Sequence, residues 1–129
     1  MLDPNLTVDD INGTTHSYNL ISQVGQSSTR VDANTSLATP QSMLIQHKEE
    51  GKGTRVVDRH LISYRAVSTD PLIPPMVINI TIAKPRFGEF LENDVLVGIT
   101  ELFELLFDNS LSFASTTFLN TEAILRGES

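Results

Sequence analysis

Residues 54–67 read TRVVDRHLISYRAV, and their alternation decides the fold. Successive side chains of a β-strand point to opposite faces. Odd positions therefore collect Arg55, Val57, Arg59, Leu61, Ser63 and Arg65, and even positions collect Val56, Asp58, His60, Ile62, Tyr64 and Ala66. One side is cationic and hydrogen-bonding, the other greasier. After it, STDPLIPP (68–75) holds three prolines in eight residues and cannot sustain sheet pairing, so it is a loop. Then MVINITIA (76–83) is a second strand. Its even set, Met76, Ile78, Ile80 and Ile82, is apolar; its odd set is Val77, Asn79, Thr81 and Ala83. Before it, residues 42–49 read as a strand with Met43 and Ile45 opposed by Leu44, Gln46 and Lys48. Glu50-Gly51-Lys52-Gly53 reads as the tight polar turn between the two.

Further out, residues 25–40 are polar and turn-rich, with room for one short strand around Arg30–Asn34. Residues 5–24 read as a hairpin in which Asn12-Gly13 supplies the central pair of a type I′ turn. The period changes at Glu92. In ENDVLVGITELFELLFDN the apolar positions 95, 99, 102 and 106 repeat at helical spacing, joined by Leu96, Phe103 and Phe107. Asn93 is the expected N-cap and Asn109 the expected C-terminal stop. A second, weaker helix is expected over about 110–119, with Leu111, Phe113 or Ala114, and Phe118 as its apolar side. Strands followed by helices give an α+β fold, with the helices packed on one sheet face.

Joining the polar sides of the three central strands gives Gln46, Lys48, Arg55, Arg59, Ser63, Arg65, Asn79 and Thr81, with no carboxylate before Glu50 at the rim. Seven of the nine basic residues fall between Lys48 and Arg86 against four acids, a local balance of +3 in a chain of net charge −7. Guanidinium groups recognise phosphate through paired hydrogen bonds, and Asn and Thr read base edges or a ribose hydroxyl. Nucleic acid is therefore the partner such a face suits. The competing reading is a solvated face that happens to be basic.

The composition bounds the rest. At 129 residues the chain fits a single domain, 1–129, and 40% hydrophobic content with 19% charged residues argues against disorder. There is no Cys, so disulfides and thiolate metal sites are excluded. No apolar run approaches the roughly 18 residues that span a bilayer, and the N-terminus is not a secretory signal; a soluble protein without membrane partners is expected. His16, His47 and His60 lack metal-ligand spacing, and no nucleophile accompanies Asp58 and His60. Gly51-Lys52-Gly53 is too short for a phosphate-binding loop. Glu101 and Glu104 read as solvated helix charges. No enzyme and no cofactor are expected. Leu72, Ile73, Pro74 and Pro75 would stand exposed at a loop tip, covered either by another subunit or by the chain's own core.

The order and length of these elements resemble the coat protein of single-stranded RNA bacteriophages, the levivirus family. That family has an N-terminal hairpin, an antiparallel sheet of about five strands and two C-terminal helices. The closest local match is INITIAKPRFGEFLENDVLVGITELFELLF (78–107), in which Asn79, Thr81-Ile82 and Pro85 fit the family's last strand and the turn into its long helix. The resemblance implies an intertwined homodimer, with sheets joined edge to edge and Ile99, Phe103, Leu106 and Phe107 of one subunit's helix covering the partner's sheet. It implies further that dimers close into an icosahedral shell, a virion capsid made in a bacterial host's cytoplasm, with the loop at Leu72–Pro75 at symmetry axes. It also implies that the bare sheet face packages single-stranded genomic RNA and represses translation by binding an RNA hairpin. Gln46 and Lys48 fall on the first RNA-touching strand, Arg55, Arg59, Ser63 and Arg65 on the next, Asn79 and Thr81 on the last. Val77 stands where well-studied members place a tyrosine that stacks on a base, an interaction of about 1–3 kcal/mol. From the residues alone, a nonviral oligomeric nucleic-acid-binding module and a small α+β enzyme or ligand-binding domain stay open beside the capsid.

Overall fold

The computed structural model describes residues 2–107 and 119–128. The chain forms two compact units, Met1–Gly88 and Glu89–Ser129. The first is a sheet of six antiparallel strands in sequence order: β1 (Asn5–Asp9), β2 (Thr15–Val24), β3 (Ser27–Asp32), β4 (Gln41–Glu50), β5 (Val57–Ala66) and β6 (Met76–Pro85). The expected N-terminal hairpin, antiparallel sheet and C-terminal helices are all present, with one strand more than the five or so expected. β2 pairs along β3, so the hairpin and four further strands make one surface.

Turn chemistry explains the departures from expectation. At the first hairpin, Gly13 N–H donates to the Asp10 carbonyl (3.0 Å), so Ile11 and Asn12 are the central residues and Gly13 follows with φ 78°. The turn is therefore not the expected Asn12-Gly13 pair. Asp10 decides this: its Oδ1 accepts from the N–H groups of Asn12 (2.8 Å) and Thr14 (3.0 Å), fixing a turn one residue earlier. The short strand expected around Arg30–Asn34 begins sooner, at Ser27, because Gly25 (φ 57°) closes a tight connection from Val24 to Ser27. Ile21 is the extra residue where the register shifts between Leu20 and Ser22, and it is exposed.

The turn between β4 and β5 is longer than Glu50–Gly53. A single 3₁₀ turn at Gly53–Arg55 extends it, and Gly51 (φ 94°) is required there because a Cβ would collide with the Arg55 carbonyl. A four-residue turn would set Lys48 opposite Arg55; the longer one sets Lys48 opposite Arg59. The shift is an even number of residues, so every side chain keeps its face while changing its partner.

The core of this unit sits where β2, β3 and β4 meet. Tyr18 and Ile45 are the buried hydrophobic residues among those described, and Arg30 and Asp32 are buried beside them. Asp32 Oδ1 accepts from Asn34 N–H (3.0 Å) and Oδ2 bonds His16 Nδ1 (2.6 Å). Arg30 donates to Ser28 Oγ (2.6 Å) and the Asp3 carbonyl (3.2 Å), while its Nε has no partner among the described residues. Burial pushes the Tyr18 hydroxyl up to about 12, helped by the charges of Tyr64 and Asp32.

The second unit holds α1 (Glu92–Leu106) and α2 (Leu119–Leu125). α1 starts at the expected place, but Asn93 is not its cap. Asp94 reaches back to accept from Leu91 N–H (2.7 Å), so Leu91 is the N-cap position and the carboxylate lies at the positive end of the helix. At the other end, Asn120 Nδ2 and Thr121 Oγ1 of α2 donate to the carbonyls of Leu105 (2.9 Å) and Leu106 (2.5 Å), two groups the helix cannot satisfy itself. Asn109 and most of the second helix expected over 110–119 lie outside the described residues; the described helix α2 begins at Leu119. No helix among the described residues is long and apolar enough to cross a membrane.

Candidate nucleic-acid interface

The register places the polar candidates on one face. Lys48 lies opposite Arg59 and then Ala83; Gln46 opposite Leu61 and then Thr81. Leu44 lies opposite Ser63 and then Asn79; Ser42 opposite Arg65 and then Val77. Gln46, Lys48, Arg59, Ser63, Arg65, Asn79 and Thr81 therefore share a side, interrupted by Leu44, Leu61 and Val77. Ser27 pairs with Gln46 and Thr29 with Leu44, so hydroxyls of β3 continue the same side. Sequence reasoning missed these two because polar residues without apolar alternation read as loop; the signal was Gly25, which permits a hairpin turn. Arg55 leaves the set. It stands in the 3₁₀ turn rather than on β5, since the longer turn consumes it.

Charge on this face is partly compensated. Glu50 Oε2 accepts from Arg59 Nε (2.5 Å), and its Oε1 lies 3.4 Å from Lys48 Nζ. Cations placed directly opposite each other repel, and a carboxylate one rung along bridges both. The Arg59 hydrogen bond, followed by that from Lys48, holds the Glu50 carboxyl below its usual range. These side chains remain open to solvent, Lys48 most of all at 69%. The Arg65 side chain makes no ion pair or hydrogen bond among the described residues. It lies six residues along β5 from Arg59, roughly 20 Å at strand rise. The face thus has a cationic end at Lys48 and Arg59, a free guanidinium at Arg65, and amides and hydroxyls between them.

The opposite face is organised differently. Its outer rung sets Glu49 against Asp58 and Lys84. Arg86 closes the cluster, donating to both Asp58 oxygens (Nε to Oδ2 3.2 Å, Nη2 to Oδ1 2.6 Å) and to Glu49. Arg86 lowers the Asp58 carboxyl, and Asp58 followed by Glu49 raises Arg86 above an ordinary arginine. Farther in come His47 and His60, then Ile45, Ile62 and Ile80, then Met43, Tyr64 and Ile78. Met76, Ile78 and Ile80 are exposed, and among the described residues β6 pairs with β5 alone, leaving one backbone edge open.

His16 is held at both ring nitrogens, by Asp10 Oδ2 (2.7 Å) and Asp32 Oδ2 (2.6 Å). The bond to Asp10, then that to Asp32, raises the His16 pKa, and His16 lowers that of Asp10. This histidine ties the first hairpin to β3. Among the described residues, no group of three or more His, Cys, Asp or Glu side chains is placed to hold a metal.

Of the other candidates, Leu72 (90%) and Ile73 (55%) are exposed on a loop pinned by Asp70, which bonds the Leu72 and Ile73 N–H groups. Helix α1 has no buried residue: Phe103 is exposed and tilts its ring against Phe107 (centroids 6.5 Å), while Ile99, Leu106 and Phe107 are half-buried.

No protein-family model matches the chain, and no curated protein matches it by sequence. Solved structures do. The bacteriophage EMS014 coat protein superposes with a TM-score of 0.73 at 14% identity, covering 99% of this chain and 98% of its own. A virus-like particle of bacteriophage AVE015 gives 0.61 at 10% identity, covering 85% and 79%. The chain has the fold of these bacteriophage coat proteins.

Proposed function

We infer that this chain is a capsid subunit that dimerises, closes into an icosahedral shell and encloses single-stranded RNA against its polar sheet face. The observation that carries this reading is the unlikeness of the two sheet faces beside an open edge. Apolar Met76, Ile78 and Ile80 are exposed on a strand with one free side, and α1 offers Leu96, Leu102 and Phe103 exposed as well. Exposed apolar rows on an unpaired edge strand are an association surface or an aggregation hazard. A second copy satisfies both: β6 pairs with its counterpart, and each α1 covers the partner's apolar face. Leu72 and Ile73 then bury where dimers meet. The likeness to two phage coat structures supports the same reading.

The polar face is left for RNA. Contacts from Lys48, Arg59 and Arg65 to phosphates need no base sequence, so packaging is electrostatic. Repression of translation would need a specific hairpin to be read by Asn79, Thr81 and Ser63, without the stacking partner that Val77 cannot supply.

Electron microscopy of the purified recombinant protein tests this, with absorbance at 260 and 280 nm and nuclease challenge of the same sample. Uniform closed shells holding nuclease-protected RNA are expected. Dimers or small rings that bind RNA without closing would favour the nonviral binding module. Monomers without nucleic acid would refute the capsid reading.

A further inference from the structure

Across the β4–β5 ladder, His47 and His60 stand directly opposite each other. Their Nδ1 atoms are 2.8 Å apart and their rings meet edge to face, centroids 5.0 Å apart at 72°. At that separation the two nitrogens are hydrogen-bonded, one ring donating and the other accepting according to tautomer. Neither ring has another hydrogen-bond partner among the described residues. His16 is the contrast, since carboxylates occupy both of its nitrogens.

A divalent ion fits beside this contact, off the line between the two nitrogens. Zn–N bonds are about 2.0–2.1 Å, so two coordinated nitrogens lie about 2.9 Å apart at a right angle and about 3.3 Å apart at a tetrahedral one. The observed 2.8 Å is close to the first spacing, and turning both rings off the N···N line aims their lone pairs at the ion. The strands hold the ligands in place, because Ile45 pairs with Ile62 on one side of this rung and Glu49 with Asp58 on the other. Nearby charge does not repel a cation: Glu49 and Asp58 offset Arg86 and Lys84. His47 also lines a cavity of about 360 Å³ with Gln26, Ser28 and Arg30, which leaves room for water beside its ring.

We propose that His47 and His60 chelate a borderline divalent cation of the Zn²⁺, Cu²⁺ or Ni²⁺ kind, tying β4 to β5, with water in the remaining positions. Imidazole nitrogens select these ions over Mg²⁺ and Ca²⁺, which demand oxygen. On binding, the ring that donates carries its proton on Nε2 instead of Nδ1, so that both Nδ1 lone pairs face the ion.

The test uses intact, tag-free protein. Calorimetric titration with NiCl₂ is expected to show saturable uptake of one ion per chain, absent with MgCl₂. His47→Gln and His60→Gln are each expected to lose it, and His16→Gln to keep it. Ni²⁺ is expected to raise the melting temperature of the parent protein and not of the first two variants. The unsubstituted protein loaded with Cu²⁺ gives an independent readout: an electron paramagnetic resonance spectrum split by two nitrogen ligands. No saturable uptake, undiminished uptake in His47→Gln and His60→Gln, or a copper spectrum of oxygen ligands alone would overturn the site.

Discussion

Across β3–β6 the polar face sets Lys48, Arg59 and Arg65 against Glu50, while the opposite face sets Arg30, Lys84 and Arg86 against Asp32, Glu49 and Asp58. The cations are alike in number and unlike in use. Arg86 spends its donors on two carboxylates, and Arg30 is buried among the chain's own groups. Arg65 spends none, and Glu50 is shared between Lys48 and Arg59. A face that neutralises itself belongs to the fold or to an apolar partner; one left short of acids suits a polyanion. Net charge per segment, +3 over 48–86, does not reveal this, because it sums both faces.

The largest expected effect lies on the self-satisfied face. Asp32→Ala strips a fully buried carboxylate from His16 and from the Asn34 N–H, and should cost about 3 kcal/mol in urea unfolding. An unchanged midpoint would mean the cluster is not structural. Next, on the capsid reading, Ile80→Asp places a charge in the exposed apolar row of β6 and should give dissociated subunits in place of particles by size exclusion with light scattering. Intact particles would show that this row is not an interface.

The polar face should respond to charge alone. Arg59→Ala and Arg65→Ala should each flatten the log–log salt dependence of RNA affinity by about 0.7, one phosphate's share on single strands. Glu50→Gln should steepen it by less, since it releases Lys48 and Arg59 without adding a cation. The smallest effect concerns His16. Its raised pKa means its bonds stabilise most below 6.5 and are lost as pH rises through the folded value; the lowered Asp10 sets the acid limit. The melting-temperature gap between the parent protein and His16→Gln should therefore narrow from about pH 6 to about pH 9. A constant gap would leave His16 without a titrating role.

Faces were legible in the sequence because strand parity survives any even slip, so Lys48, Arg59, Ser63, Asn79 and Thr81 sort correctly without knowing their partners. Partners were not legible. The 3₁₀ turn at Gly53–Arg55 removed Arg55 from the strand and brought His47 to His60, and nothing in EGKG announces that extension. The α1 span was legible from its period, but its cap was not, because Asp94 bonds backward over Asn93. The first hairpin was legible, and its turn was displaced by Asp10 acting through its side chain. Local backbone competition by carboxylates accounts for both of the latter.

The most direct measurement compares Arg65→Ala with Arg86→Ala in the salt dependence of single-stranded RNA affinity, one guanidinium from each face. Arg65→Ala should flatten the slope by about 0.7 and Arg86→Ala should leave it unchanged. Equal loss in both, or loss in Arg86→Ala alone, would contradict the assignment of the polar face to RNA.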